Sequence, residues 1–300
     1  MRQRLSTLLL MTCLALTPAG RCADGAPAAW TWNGTPVRQA LVIEGVWSEF
    51  FKVREALLDE GIPFTDGYAS KSAYWKGQTL LFNIPADEAS FRNYAVVVIE
   101  NVEASALGSA RLALLERFVA AGGGLVVFGG HWSYAGGGYA STAFGKLLPV
   151  TWETAGWQVA YLRQPAAEQT LHPAPGADWP MPFAWDAAPR VPYGTHLTPR
   201  PGATVQVLMG TRPAIVSGTY GAGRVVAIAC APNGMTTGDG PVYWAWPDWT
   251  RLTATAITWA AAARPLATRN TAARPVLTGA MLAGLAIEPR ELTPQELQLA

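Results

Sequence analysis

The sequence predicts an α/β fold with a doubly wound, mostly parallel sheet. Three observations carry that reading. Short, almost continuously apolar runs alternate with helix-patterned segments; each run ends in glycine or a polar residue; and a late pair of β-rich runs flanks a glycine turn. Continuous apolar strands are those buried on both faces, which happens when helices cover both sides of a parallel sheet.

QALVIEG (39–45) is the first such run. It is followed by WSEFFKVREALLDEG, where Phe50, Phe51, Val53, Leu57 and Leu58 recur at roughly helical spacing, with Ser48 placed to cap the helix and Gly61 to end it. YAVVVIEN (94–101) is the second run, and SARLALLERFVAAGGG after it sets Leu112, Leu115, Phe118 and Val119 on one face. LVVFGG is the third. Residues 149–196, rich in Pro, Trp and Ala, read as an irregular insertion with short strands. VQVLMG and PAIVSGTYGAGRVVAIA then predict antiparallel strands turning at TYGAG, with Arg224 opening the last of them. TRLTATAITWAAAA (250–263) is a helix by alanine content and by the spacing of Leu252, Ala256 and Trp259. The expected unit is a flavodoxin-like domain over residues 40–263 with an added antiparallel hairpin, and residues 264–300 form a loosely attached tail.

The N-terminus is a separate object. Arg2 and Arg4 precede LSTLLLMTCLALTPA, a run too short to span a bilayer but suited to a secretory signal peptide over residues 1–23, with cleavage after Ala19 or Ala23 and a spacer over 24–39. Arg21 disfavours a lipoprotein reading through Cys22. The expectation is a periplasmic or secreted protein with no stable transmembrane segment once the leader is gone. Cys13 and Cys22 leave with the leader or lie beside its end, and Cys230 alone cannot form an internal disulfide. Charged residues make up 14% of the chain and the formal net charge is +1, so no field points to nucleic acid or an anionic membrane. The 13 Trp suit both core packing and the faces of sugars.

Several segments resemble the class I glutamine amidotransferase-like superfamily, and within it the amidotransferase domains of bacterial secreted or membrane-linked proteins. They are RNYAVVVIENVEAS, LLERFVAAGGGLVVFGGHWSYAGGGYASTAFGKLLPV, PAIVSGTYGAGRVVAIA and WAWPDWTRLTATAITWAA. The resemblance implies a nucleophilic cysteine in the tight turn after LVVFGG, and a His and a Glu just past VVAIACAP. This chain has Gly129, Gly130 and His131 in the turn, with no Cys or Ser before Ser133, and Cys230, Ala231 and Pro232 past the later strand. Glutamine hydrolysis by the usual triad is therefore not expected.

Two readings of the strand ends stay open. Glu44, Glu100 and His131 gather there if the sheet is parallel, and two carboxylates near a histidine suit a hydrolase, with or without a metal. Alternatively Trp47, Trp132, Tyr134 and Tyr139 rim a crevice in which Gly130, His131 and Asn233 help to hold a carbohydrate or cell-envelope partner without catalysis. The second is the expected function. His172 and His196 read as loop residues, and neither a metal nor a cofactor is expected.

Overall fold

A computed structural model describes residues 38–71, 78–153, 169–188, 190–232, 242–264 and 266, together with the backbone of 31–32, 35–36 and 162–163. Residues 1–30, which include the expected signal peptide, lie outside the described residues, as do most of the expected spacer and tail and Asn233.

The chain is α/β, built on a nine-stranded mixed sheet. Its strands are β1 (Gln39–Glu44), β2 (Phe64–Ser70), β3 (Leu80–Phe82), β4 (Tyr94–Glu100), β5 (Gly124–Phe128), β6 (Leu171–Pro173), β7 (Thr204–Met209), β8 (Arg212–Tyr220) and β9 (Gly223–Ile228). The spatial order is β6-β7-β8-β9-β5-β4-β1-β2-β3. β2, β1, β4, β5 and β9 run parallel; β3 closes one edge antiparallel, and β8, β7 and β6 extend the other. The parallel strands thus follow the flavodoxin-like order, whose direction of winding reverses between β1 and β4. Ligands bind in such sheets at the carboxyl ends of the strands beside that reversal.

Among the described residues the helices longer than one turn that cover the sheet are α1 (Val53–Asp59), α2 (Ala104–Ala120) and α3 (Pro247–Ala261). Alternation along each strand divides the core. Val42, Val96, Val98 and Val126 face α1 and α3, where they meet Leu57, Trp249, Leu252 and Ala256. Leu41, Ile43, Val97 and Ile99 face α2 and meet Leu107, Leu115 and Phe118. This two-sided burial is why the central strands read as unbroken apolar runs.

The structure corrects the first helix. Ser48–Phe50 is a single 3₁₀ turn, and Trp47 and Lys52 both take left-handed conformations, φ 64° and 60°. α1 therefore starts at Val53, Ser48 does not cap it, and Leu58 points outward at 60% exposure; Gly61, φ 64°, does stand just past its end. β2 and β3 went unread in the sequence. FTDGYAS carries Asp66 and Gly67 and is only partly buried, as suits strands near a sheet edge. Within 149–196, Val150–Trp152 pairs with Leu197–Pro199, and β6 caps the main sheet.

Candidate functional site

The two carboxylates expected at the strand ends are neighbours. Glu44 and Glu100 are register partners across β1 and β4, on the face that carries α1 and α3. Arg54, from the first turn of α1, holds Glu44 through Nε at 2.8 Å and Nη2 at 2.9 Å, and reaches Asp66 Oδ2 at 3.1 Å. Glu100 is 1% exposed, and its Oε1 has no hydrogen-bond partner among the described residues. Burial, with Glu44 next to it, pushes the Glu100 carboxyl well above the ordinary carboxylate range. Burial raises Glu44 too, outweighing the attraction of Arg54.

This arrangement has a consequence for stability. An acid whose pKa is higher folded than unfolded binds more protons when folded, so its ionisation destabilises the protein as pH rises from the unfolded value toward the folded one. Stability should therefore fall above the ordinary glutamate value of 4.5. Glu100→Gln keeps the shape and removes the titration, so the variant should gain on wild type as pH rises above the ordinary glutamate value in urea denaturation. A difference between the two proteins that does not change with pH would contradict this assignment.

His131 follows the Gly129-Gly130 turn after β5 and packs edge-on against Trp132, ring centroids 4.5 Å apart. Burial pushes its imidazole pKa down, the direction opposite to that an adjacent carboxylate would impose. Among the described residues no group of three His, Cys, Asp or Glu is placed to hold a metal ion, so Glu44, Glu100 and His131 are not assembled as a metal-binding set. Cys230 is fully buried and its thiol is pushed up to about 12, far from the reactive thiolate range.

The aromatic residues divide. Trp47 and Trp132 are half-buried and pack together with centroids 5.6 Å apart. Tyr134 and Tyr139, expected on the rim, are fully buried instead. Tyr134 is strained at φ 46°, and its hydroxyl lies 3.0 Å from the Val127 carbonyl and 3.1 Å from that of Ile228. Tyr139 donates to the Val102 carbonyl. Three residues past the Gly129–His131 turn, the left-handed backbone of Tyr134 accompanies a phenol buried in the core.

Beside Trp132 a cleft of about 560 Å³ opens at the carboxyl ends of β2, β4 and β5. It is lined by Trp132, Gly136–Gly138, Ser141 and Thr142 from the segment after β5, and by Lys71 just past the end of β2 and Glu103, Ser105 and Ser109 from the start of α2. The Ala104 N–H donates to the Gly137 carbonyl at 2.8 Å, fastening the start of α2 to the glycine loop. Gly108, φ 74° and ψ 160°, breaks α2 at the cleft wall. Glu103 is 7% exposed, accepts the Lys71 N–H, and is raised by burial. The volume lies within the usual range of ligand pockets, and the lining offers hydroxyls, backbone polar groups, a carboxyl and one indole. Sequence reasoning missed Glu103, Ser105 and Ser109. Their local signal is that they stand at the start of the helix that follows a buried strand.

No family model and no curated protein matches the sequence. Among solved structures, the chain is similar to the cytoplasmic protein STM3548 from Salmonella typhimurium, at 18% identity and TM-score 0.60, with 74% of this chain and 98% of that one covered. A second Salmonella typhimurium cytoplasmic protein, STM1381, matches at 16% identity and TM-score 0.50, over 75% of this chain and 98% of that one. A ThuA-like protein from Parabacteroides merdae matches at 12% identity and TM-score 0.46, covering 78% and 93%. The likeness is one of fold.

Proposed function

We propose that the chain is an exported amidotransferase-like domain that binds a carbohydrate or another cell-envelope glycan and does not hydrolyse glutamine. The observation that carries this reading is the cleft: its lining brings together Trp132, the glycine loop after β5, Glu103 and two serines of α2. An indole offers its face to the apolar side of a sugar ring, while hydroxyls and backbone groups serve the sugar's own hydroxyls. The absence of a cysteine from the turn and the sealed thiol of Cys230 favour binding over amide hydrolysis. The leader-like N-terminus supports export, and N-terminal sequencing of the exported protein should begin between Gly20 and Ala29.

A rival reading makes the protein a hydrolase working through Glu44, Glu100 and His131. It has the in-register carboxylates in its favour, but it needs substrate to reach Glu100, which is 1% exposed.

Thermal unfolding in the presence of N-acetylglucosamine oligosaccharides and muropeptides tests the binding reading, because a ligand that binds only the folded state raises Tm. Trp132→Ala should remove about 2 kcal/mol of binding, the scale of an aromatic hot spot, or roughly thirtyfold in affinity. His131→Ala should leave the Tm response nearly intact. Equal losses in the two variants would place the imidazole in the site, and no Tm response from wild type to any of these glycans would remove the reading.

A further inference from the structure

Two loops meet above the reversal between β1 and β4, and one buried side chain hydrogen-bonds to both. Asn101, the residue after β4, is 1% exposed. Its Nδ2 donates to the Val46 carbonyl in the loop after β1 at 2.6 Å, and its Oδ1 accepts the Trp132 N–H in the loop after β5 at 2.7 Å. Trp47 and Trp132, each next to or at one of those bonds, are the residues whose rings pack together. We infer that Asn101 is a positioning residue of the site: it latches the two loops and so fixes the Trp47–Trp132 pair, of which Trp132 lines the cleft and Trp47 backs it. The consequence for ligand binding rests on the glycan-binding reading; the consequence for the two loops does not.

The chemistry selects asparagine. A carboxamide both donates and accepts, so one buried side chain can satisfy a carbonyl on one loop and an N–H on the other. A carboxylate only accepts, and an apolar residue does neither. The backbone adds a second constraint. Asn101 has φ 54°, a left-handed conformation that asparagine tolerates better than most residues and that aims the side chain back between the loops. Both neighbours of the latch are glycines. A Cβ on Gly130 would strike the Asn101 carboxamide, and one on Gly45 would strike its backbone carbonyl. The Gly45 N–H donates to the Glu100 carbonyl at 2.9 Å, which holds the β1 loop against the strand that carries the latch. Trp47 itself sits at φ 64°, so its ring direction depends on the local backbone being held.

The test is a spectroscopic double-mutant cycle on the intact protein. In the wild-type background, the near-ultraviolet circular dichroism difference between protein and Trp47→Phe isolates the contribution of the packed pair. Asn101→Gly removes both bonds while relieving the positive φ, so folding should survive and the Trp47→Phe difference should fall at least fivefold in that background. Asn101→Asp, which keeps the acceptor toward Trp132 but loses the donor toward Val46, should retain part of the difference, and it serves as the test background if the glycine variant does not fold. A Trp47→Phe difference unchanged in whichever Asn101 background folds would overturn the latch. In the functional arm, Asn101→Gly should weaken the Tm response to muropeptides at least tenfold in midpoint concentration. A wild type that shows no glycan response, while the spectra behave as expected, leaves the latch standing and removes only the binding reading.

Discussion

Trp249→Ala is expected to destabilise the protein by about 4 kcal/mol, the middle of the range for truncating a large buried aromatic. Trp249 lies in the first turn of α3, is fully buried, and packs edge-on to Tyr243 with centroids 4.7 Å apart. Its indole N–H donates to the Phe51 carbonyl at 2.9 Å, and Phe51 in turn packs against Phe128 at the end of β5. Truncation would therefore leave a cavity and an unpaired buried carbonyl, and would loosen the segment that runs from Trp47 to α1. Trp249→Phe separates these effects: it keeps most of the packing and loses the bond, so it should cost about 1.5 kcal/mol, the scale of one hydrogen bond plus a small void. Urea midpoints at constant m-value measure both. A cost for Trp249→Ala below about 2 kcal/mol would show that α3 and the β1 loop are not coupled through this ring.

How far the sequence could be read depended on how completely each element is buried. β1, β4 and β5 were legible because both their faces are covered, and covered strands write themselves as apolar runs. β2 was not, because its partly buried residues include Asp66 and Gly67 and give no run to count. The segment after β1 has apolar residues at helical spacing, yet two left-handed residues interrupt it. The spacing recorded which residues are buried, Phe51, Val53 and Leu57, and not the backbone path that buries them.

The candidate site was legible in position and not in detail. Strand ends and glycine clusters identified the turn at Gly129 to Trp132, since the fold class fixes where such crevices lie. The orientation of each aromatic there was hidden. Tyr139 and Trp132 look alike on paper, and only the loop path decides that Tyr139 turns inward to the Val102 carbonyl while Trp132 lines the cleft. Asn101 was invisible for a different reason. Its part comes from two carbonyl and amide partners 55 and 31 residues away, a long-range relation that no local spacing encodes.

The same crevice yields a sharp test at the turn itself. Gly129→Val should cost about 3 kcal/mol, toward the upper end for forcing extra atoms into a packed interior. Gly129 is not among the positive-φ glycines, so its requirement is room and not backbone freedom. A Cβ there would stand 2.5 Å from the Ala229 carbonyl oxygen, which already accepts the Thr195 N–H at 3.0 Å. The Ala229 N–H is held at 2.7 Å by Ala214, and the adjacent Ile228 carbonyl by Tyr134, so the obstacle is backbone pinned from several sides. Valine would have to push β5 and β9 apart at the ends that support the cleft. Gly138→Ala is the matched contrast, because Gly138 has φ 70° and open space around its missing Cβ. It should cost only about 1 kcal/mol, the strain of a left-handed non-glycine residue. If urea denaturation ranks Gly138→Ala as the more damaging of the two, then backbone conformation and not close approach governs this loop.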